Sequence, residues 1–330
     1  MRLFKLDLAA LAFLTSVVPL GNAVAERTED YPQRPIRLVV GAPPGGELDA
    51  LARLVAEHVG KDLGQRVIVE HKSGAANNLA AEAVAHSKPD GYTLFLGGGA
   101  NTVHKVMYPS INYDYERDLV PLGLIGTIPT ILVTGMHTPF NSVEDLVKMA
   151  KERPGVITCG SVGIGSTFHM ISEVLQGSWG IELKHIPYRG SAAALTDMIG
   201  GHIDVQVSSP TSTLPYIKTG KLRPLAVLGP TRLPILPDVP TLRESGMPDG
   251  DHRAWSGVLA PTGTPPQIVE RLNRSLNAAL SNPKMVETLL QYGIEPAPAP
   301  NSPAEFKKFI ASETELWTGV LRKYGIGPAE

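Results

Sequence analysis

The sequence is poor in the features that mark several large classes of protein. It contains one cysteine, Cys159, so no disulfide can form within the chain. The apolar residues before it indicate a buried thiol rather than a nucleophile. Lys and Arg total 30 against 32 Asp and Glu, a net charge of -2, with no basic cluster. Nucleic-acid binding needs a basic face, so we expect no nucleic-acid partner.

Long hydrophobic runs are also missing, which excludes an ordinary transmembrane protein. The apolar stretch at residues 8–20 is too short to cross a bilayer comfortably. It follows Arg2 and Lys5 and leads into Ala23-Val24-Ala25, the small-x-small pattern of a signal-peptidase site. This pattern predicts a cleaved signal peptide over residues 1–25 and an exported mature protein, with a retained membrane anchor as the alternative.

No complete catalytic or cofactor motif is found. The glycine-rich stretch 160–167 has neither the Gly-Lys-Ser/Thr of a nucleotide-binding loop nor the Gly-x-Ser-x-Gly of a hydrolase elbow. The histidines are scattered without His-Glu-x-x-His spacing, and no nearby acid completes a Ser166–His169 pair. We therefore predict no enzyme activity, no metal and no cofactor. An exported hydrolase is the alternative that these absences disfavour.

The chain is rich in strands that run into glycine-rich loops and then into helices. Its 330 residues suggest two domains. Alternation of this kind predicts an α/β protein with two mostly parallel sheets, whose ligands bind beyond the carboxyl ends of the strands. Amphipathic helices are predicted at residues 267–280 and 303–324, with a shorter one that begins at Pro283. The predicted strands are 35–40, 66–70, 92–96, 131–133, 156–159, 183–188, 203–207 and 225–228.

The loop 160–167 carries the strongest functional signal in the sequence. It follows a strand and opens a helix, and its glycines free backbone N–H groups while its hydroxyls add donors. Such a helix start favours an anion, and an ordinary capped turn is the alternative. The loop 43–46 is its counterpart after the first strand. We expect structural roles for Asp49 and for His169, the latter as a brace of the second loop.

Motifs along nearly the whole mature chain resemble one family, the periplasmic solute receptors of tripartite tricarboxylate transporters, called TctC-like or Bug proteins. The resemblance implies a two-lobed periplasmic-binding-protein fold (type II, Venus flytrap). It places the first lobe at residues 26–125 plus 250–330 and the second at 126–249. The motifs are Tyr31-Pro32 with 34–37, Pro44-Gly45-Gly46 with Asp49 and Arg53, 89–94, 187–191 with 195–197, 220–223, 236–241 and 260–265.

The resemblance also implies a carboxylate ligand that is held by loop backbone and hydroxyls, and membrane subunits of a transporter as partners. A receptor that feeds a sensor kinase is the alternative role. The sequence departs from the family pattern at Ala42, Glu47, Leu48, Phe168 and Ser208. The loss of an aromatic at Ala42 and the gain of Phe168 suggest a bulkier or partly apolar acid, with aromatic acids included. Ser208 stands where many members carry Asp, which removes a counter-ion for an ammonium group and argues against an amino-acid ligand. The implied ligand-binding residues are Ala42, Pro44, Gly45, Gly46, Asn77, Asn78, Gly98, Gly99, Ser161, Gly163, Gly165, Ser166, Thr167, Phe168, His169, Tyr188 and Ser208.

Overall fold

The computed structural model describes residues 31–247 and 253–328. The predicted signal peptide lies outside the described residues. The strands are β1 Ile36–Val40, β2 Val67–His71, β3 Thr93–Gly98, β4 Leu119–Pro129, β5 Ile131–Gly135, β6 Thr158–Ser161, β7 Lys184–Pro187, β8 Val205–Ser208, β9 Leu222–Val227, β10 Arg253–Pro261 and β11 Glu295–Pro296. The helices are α1 Glu47–Leu63, α2 Asn78–Ala85, α3 His104–Met107, α4 Tyr115–Asp118, α5 Val143–Glu152, α6 Thr167–Trp179, α7 Ser191–Ile199, α8 Pro210–Lys218, α9 Pro266–Leu280, α10 Pro283–Gln291 and α11 Pro303–Tyr324.

The strands form two sheets. The first has the order β11-β4-β10-β3-β1-β2 and the second β7-β6-β8-β5-β9. In the first sheet β1 is parallel to β2 and β3, whereas β10 is antiparallel to β3 and β4. In the second, β6 is parallel to β7 and β8, whereas β5 is antiparallel to β8 and β9. The two-sheet α/β fold is confirmed.

The expectation that both sheets are mostly parallel needs correction, because both are mixed. A parallel neighbour requires a crossover connection, usually a helix. β4 of the first sheet instead continues into β5 of the second sheet with only Thr130 between them. The chain returns to the first sheet at β10. No crossover helix sets the direction of these connecting strands, which pair antiparallel with their neighbours.

Sequence patterns also failed to predict β4, β10 and the two-residue strand β11. β10 lies between β3 and β4, and eight of its nine residues are buried. A strand that is buried on both faces lacks the alternation of polar and apolar residues that reveals a half-exposed strand. In β4 the residues Pro121, Gly123 and Gly126 further weaken the β signal.

Each sheet packs its own apolar cluster against flanking helices. In the first, Phe95 and Leu259 of the sheet meet Phe306 and Ile310 of α11. In the second, Ile131 and other strand residues meet Ala194, Leu195 and Met198 of α7. Helix α11 also reaches α6 beside the second sheet, where the Tyr324 hydroxyl lies 3.0 Å from that of Ser178.

A candidate ligand-binding cleft

A cleft of about 910 Å³ lies among the loops at the carboxyl ends of β1, β3, β6 and β7. This position agrees with the rule that ligand sites in such sheets lie beyond the strand ends. The volume falls within the range of small-molecule sites. Predicted site residues that line the cleft are Ala42, Pro44, Gly46, Asn77, Gly98, Gly99, Gly163, Ser166, Thr167, Phe168 and Tyr188.

The remaining predicted site residues do not line the cleft. Gly45 borders a separate groove between α1 and α10. Gly165 is buried against Met107 and Tyr108. The Ser208 hydroxyl is enclosed at the end of β8 and has no hydrogen-bond partner among the described residues. The others, Asn78, Ser161 and His169, brace the loops from behind, as their contacts show.

Three helix N-termini border the cleft: those of α1, α6 and α7. Gly46 and Gly190 precede α1 and α7 and have no side chain that could cap the helix. Ser166 caps α6, since its hydroxyl accepts the N–H of His169 at 3.3 Å. The first-turn N–H groups of these helices lie outside the helical hydrogen-bond ladder. Together with the helix dipoles they make this part of the cleft favourable for an anion.

A network of buried amides builds the wall on the side of the first sheet. Oδ1 of Asn77 accepts the Gly41 N–H at 2.6 Å, and its Nδ2 donates to the Leu96 carbonyl at 3.0 Å. Oδ1 of Asn78 accepts from Nδ2 of Asn101 at 3.0 Å and from the Tyr113 hydroxyl at 2.5 Å. These amides join the ends of β1 and β3 to the start of α2, so they hold the loops in place.

The same wall contains a left-handed turn without glycine. Ala75, Ala76 and Asn77 have φ angles of 46°, 49° and 76°. Non-glycine residues in this region are strained, and such strain persists only where the surroundings impose it. Here Nδ2 of Asn78 holds the Ala75 carbonyl at 2.8 Å. The turn brings Ala75, Ala76 and Asn77 to the surface of the cleft.

Two histidines that pack against each other support the loop before α6. The rings of His169 and His185 lie 4.1 Å apart. Nδ1 of His169 accepts the Gly165 N–H at 3.1 Å, and Nε2 of His185 lies 2.7 Å from the Ser161 hydroxyl. Burial, with a smaller contribution from His185, lowers the pKa of His169 to about 4. His169 is therefore neutral at neutral pH and braces the loop, as its sequence position suggested.

The Ser161–His185 contact was not predicted from the sequence. His185 lies on β7, next to β6, and is paired in register with Cys159. Only the parallel pairing of these strands brings it to Ser161, so no spacing in the sequence reveals it. The Cys159 thiol is buried, and burial raises its pKa to about 12. The thiol thus stays protonated, in agreement with a core role.

Asp49 has the structural role that its position suggested. Its Oδ2 accepts the Gly45 N–H at 2.9 Å. Its Oδ1 lies 2.8 Å from Arg53 and 3.1 Å from Nε2 of His71, and Nδ1 of His71 lies 2.8 Å from the Ala42 carbonyl. Although burial opposes its ionisation, Arg53 and the Gly45 N–H hold the pKa of Asp49 below its usual value. The carboxylate thereby fixes the loop between β1 and α1.

The cleft is also lined by two charged side chains, and the sequence motifs did not assign either of them to ligand binding. Glu47 begins α1, and Arg189 follows β7. Burial raises the pKa of Glu47 to about 7, and a hydrogen bond from the Ser209 hydroxyl partly opposes this shift. Tyr108 contributes aromatic surface, and Trp255 of β10 lines the cleft but is almost fully buried. Tyr108 also donates from its hydroxyl to the Ile164 carbonyl, which ties the two walls together.

Neither a metal centre nor a membrane span is found in the described chain. Within residues 31–247 and 253–328, no group of three or more His, Cys, Asp or Glu side chains could hold a metal ion. Over the same residues, no helix has both the length and the apolar character needed to cross a bilayer.

Comparisons with known proteins agree with this geometry. A protein of Pseudomonas sp. (strain P51), the UPF0065 protein in the tcbD-tcbE intergenic region, is 37% identical over 316 residues, covering 96% of this chain and 92% of that protein. The structure of periplasmic binding protein BugD matches with a TM-score of 0.86 at 32% identity, over 91% of this chain and all of that one.

Two similar structures contain a bound acid. An R. palustris protein, Rpa4515, was solved with adipate and matches with a TM-score of 0.87 at 33% identity, over 91% of this chain and 100% of that one. MatC from Rhodopseudomonas palustris, with bound malate, matches with a TM-score of 0.83 at 28% identity, over 88% and 100%. The sequence-family model of the tripartite tricarboxylate transporter family receptor, TctC, matches residues 51–326 of this chain. The chain therefore belongs to the TctC family of solute-binding receptors.

Proposed function

We propose that this protein captures a small carboxylic acid in the cleft and delivers it to the membrane subunits of a tripartite tricarboxylate-type transporter. The observation that carries the proposal is the meeting of three helix N-termini, those of α1, α6 and α7, at one cleft. Related receptors of the same fold that hold adipate and malate support the ligand class.

The carboxylate of the ligand would bind at the start of α6 and α7. The N–H groups of Thr167 and Phe168 occupy the first turn of α6, where the helix supplies no internal acceptor. The Thr167 hydroxyl adjoins them, and the uncapped start of α7 adds the backbone of Ser191. Neutral donors of this kind hold an anion without a buried counter-charge.

The rest of the ligand would be bulky or partly apolar, with an aromatic acid as one example. Phe168 and Trp255 line the cleft together with Tyr108, Tyr188 and Ile128. Tyr108 and Tyr188 are half-buried and leave aromatic surface that a ligand would cover, whereas Phe168, Trp255 and Ile128 are almost fully buried. An acid as small as malate would leave much of the roughly 910 Å³ filled with water.

The same proposal assigns the two lobes and the location of the protein. The first lobe would comprise residues 26–125 plus 250–330 and the second 126–249, so that the cleft closes between them. Thr130, the single residue between β4 and β5, would take part in the hinge. Residues 1–25 would direct the chain to the periplasm and be removed there.

Titration with carboxylic acids tests the ligand class. A panel of adipate, malate, citrate, glutamate and benzoate-type acids is ranked by thermal shift and then by calorimetry. A ligand at 100 times its dissociation constant is expected to stabilise the protein by about 2.7 kcal/mol. Trp255 provides a second signal, because it is among the residues that line the cleft. If no carboxylic acid stabilises the protein, the ligand class is wrong; if only the small acids bind, the bulky ligand is wrong.

A further inference from the structure

Glu47 is the one acidic residue among the described residues that line the cleft, and Arg189 is the one basic residue. Glu47 is the first residue of α1, directly after the uncapped Gly46. Most of the remaining lining is glycine, hydroxyl or apolar surface. A cleft that binds carboxylates through neutral donors therefore contains a carboxyl group of its own, which requires an explanation.

Glu47 has few partners for a carboxyl group in this position. The Ser209 hydroxyl, at the start of α8, hydrogen-bonds to it. Ser209 also serves its own helix, since its oxygen accepts the N–H of Ser212 at 3.4 Å. An ionised carboxylate has about four acceptor positions, and no ion pair with Glu47 is found among the described residues. Most of its acceptor capacity is therefore left for a ligand.

This underpaired carboxyl favours a ligand that brings its own hydrogen-bond donor. Glu47 is half-buried, and a carboxylate that has lost part of its hydration is costly unless it is paired. Burial accordingly raises the pKa of Glu47 to about 7. A protonated amine would pair with the ionised carboxylate. A second ligand carboxylate at the same place would meet the like charge of Glu47.

We infer that Glu47 selects ligands that carry a protonated amine in addition to the carboxylate, and disfavours dicarboxylates of the same length. This inference rests on the proposed function, since it concerns the other end of the same ligand. Sequence comparison with the family suggests the opposite, because Ser208 replaces an acidic residue that could serve as the counter-ion. The structure instead shows Ser208 enclosed behind the second wall and a carboxyl group in the cleft on the first.

Matched ligand pairs test the inference. Adipate and 6-aminohexanoate have equal chain length, and terephthalate and 4-(aminomethyl)benzoate form the corresponding aromatic pair. Calorimetry at pH 8 compares the unchanged protein with Glu47→Gln, which keeps the size of the side chain and removes its charge. Glu57→Gln is the control, because Glu57 is an exposed residue of the same helix that pairs with Lys61 outside the cleft.

The amino member of a pair is expected to bind the unchanged protein at least about tenfold more tightly, which is the range of a charge-assisted hydrogen bond. Glu47→Gln is expected to remove this preference, and Glu57→Gln to keep it. Between pH 8 and pH 6 the ligand groups keep their charges, so tighter dicarboxylate binding at pH 6 reports protonation of Glu47. Other charged or titratable groups near the cleft are Asp49, His71, Tyr108, Tyr188 and Arg189. Their effects persist in Glu47→Gln and can be subtracted.

Equal binding of both members, unchanged by Glu47→Gln, would overturn the inference and leave the proposed function standing. If no acid of either panel binds, the carboxylate function itself fails, and the inference fails with it. Unliganded melting temperatures of the variants show whether a lost signal reflects unfolding rather than a changed cleft.

Discussion

The two walls of the cleft are built on different principles. The wall on the first sheet is set by side-chain amides, since Asn77, Asn78 and Asn101 bond to one another and to nearby backbone. The wall on the second sheet presents the start of α6, where Thr167 and Phe168 border the cleft and His169 stands behind. A polar side chain near the cleft can thus hold the loops in place, whereas the backbone at a glycine or at a helix N-terminus supplies the hydrogen-bond donor for a ligand.

The largest expected effect is on the first wall. Asn78→Ala removes the acceptor of Asn101 and Tyr113 in the protein interior, and the donor to the partly buried Ala75 carbonyl. Buried groups left without partners cost about 1–3 kcal/mol each, so we expect the free energy of unfolding to fall by about 3–5 kcal/mol. Chemical denaturation measures it. The control is the exposed Asn141→Ala, for which we expect a change within about 0.5 kcal/mol; equal effects would contradict a scaffold role.

The next effect is on the second wall and depends on pH. His169 has a pKa of about 4 in the folded chain, against 6.5 for an unperturbed histidine. The unfolded chain therefore binds the proton more readily as the pH falls from about 6.5 to about 4. Stability present above pH 6.5 is lost across that window, on the order of 3 kcal/mol.

Denaturation at pH 7 and at pH 4.5 measures this loss. His169→Asn keeps a side-chain acceptor for the Gly165 N–H but does not titrate there, so its stability is expected to fall less over the same interval. The fall in stability that remains in His169→Asn comes from the other titrating groups and serves as the baseline. An identical slope in both proteins would show that His169 is not held neutral by the fold.

A smaller effect is expected for ligand binding at the start of α6. Thr167→Val keeps the branched shape of the side chain and removes a hydroxyl that lines the cleft. One neutral hydrogen bond contributes about 1 kcal/mol, so affinity for a carboxylate should fall about fivefold while the unliganded melting temperature stays the same. Calorimetry measures it, and unchanged affinity would place the carboxylate elsewhere in the cleft.

The smallest effect is expected at the strained turn of the first wall. Ala76 has a φ of 49°, and glycine adopts this conformation without steric cost. Ala76→Gly relieves about 1 kcal/mol of strain but gives the unfolded chain more freedom, worth about 0.4–1 kcal/mol. We expect a gain in stability of less than about 1 kcal/mol by denaturation. A clear loss of stability would show that the turn is not strained.

Much of the fold could be predicted from local patterns. Helix α11 was expected at residues 303–324 and is found there, because Ser302 caps it, Pro303 opens it and Gly325 ends it in a left-handed conformation. The position of the cleft also followed, since the glycine-rich loops come directly after strands. β4 and β10 could not be predicted, because burial on both faces removes the periodic signal.

The candidate site was predicted less completely, for a related reason. Eleven of the predicted residues line the cleft, but Asn78, Ser161 and His169 face other loops and Ser208 is enclosed. A motif identifies the loop but not the direction of each side chain. Glu47 was noticed in the sequence only as a departure from the family pattern.

By itself the sequence determined the alternation of strands and helices, the loops at the strand ends and the family, because these depend on residues close together in the chain. Only the tertiary structure decided that the sheets are mixed, that the asparagines are scaffold and that Glu47 lies in the cleft. Each of these depends on contacts between residues far apart in sequence, such as Asn78 with Asn101 or Glu47 with Ser209. Local propensity does not encode such partners.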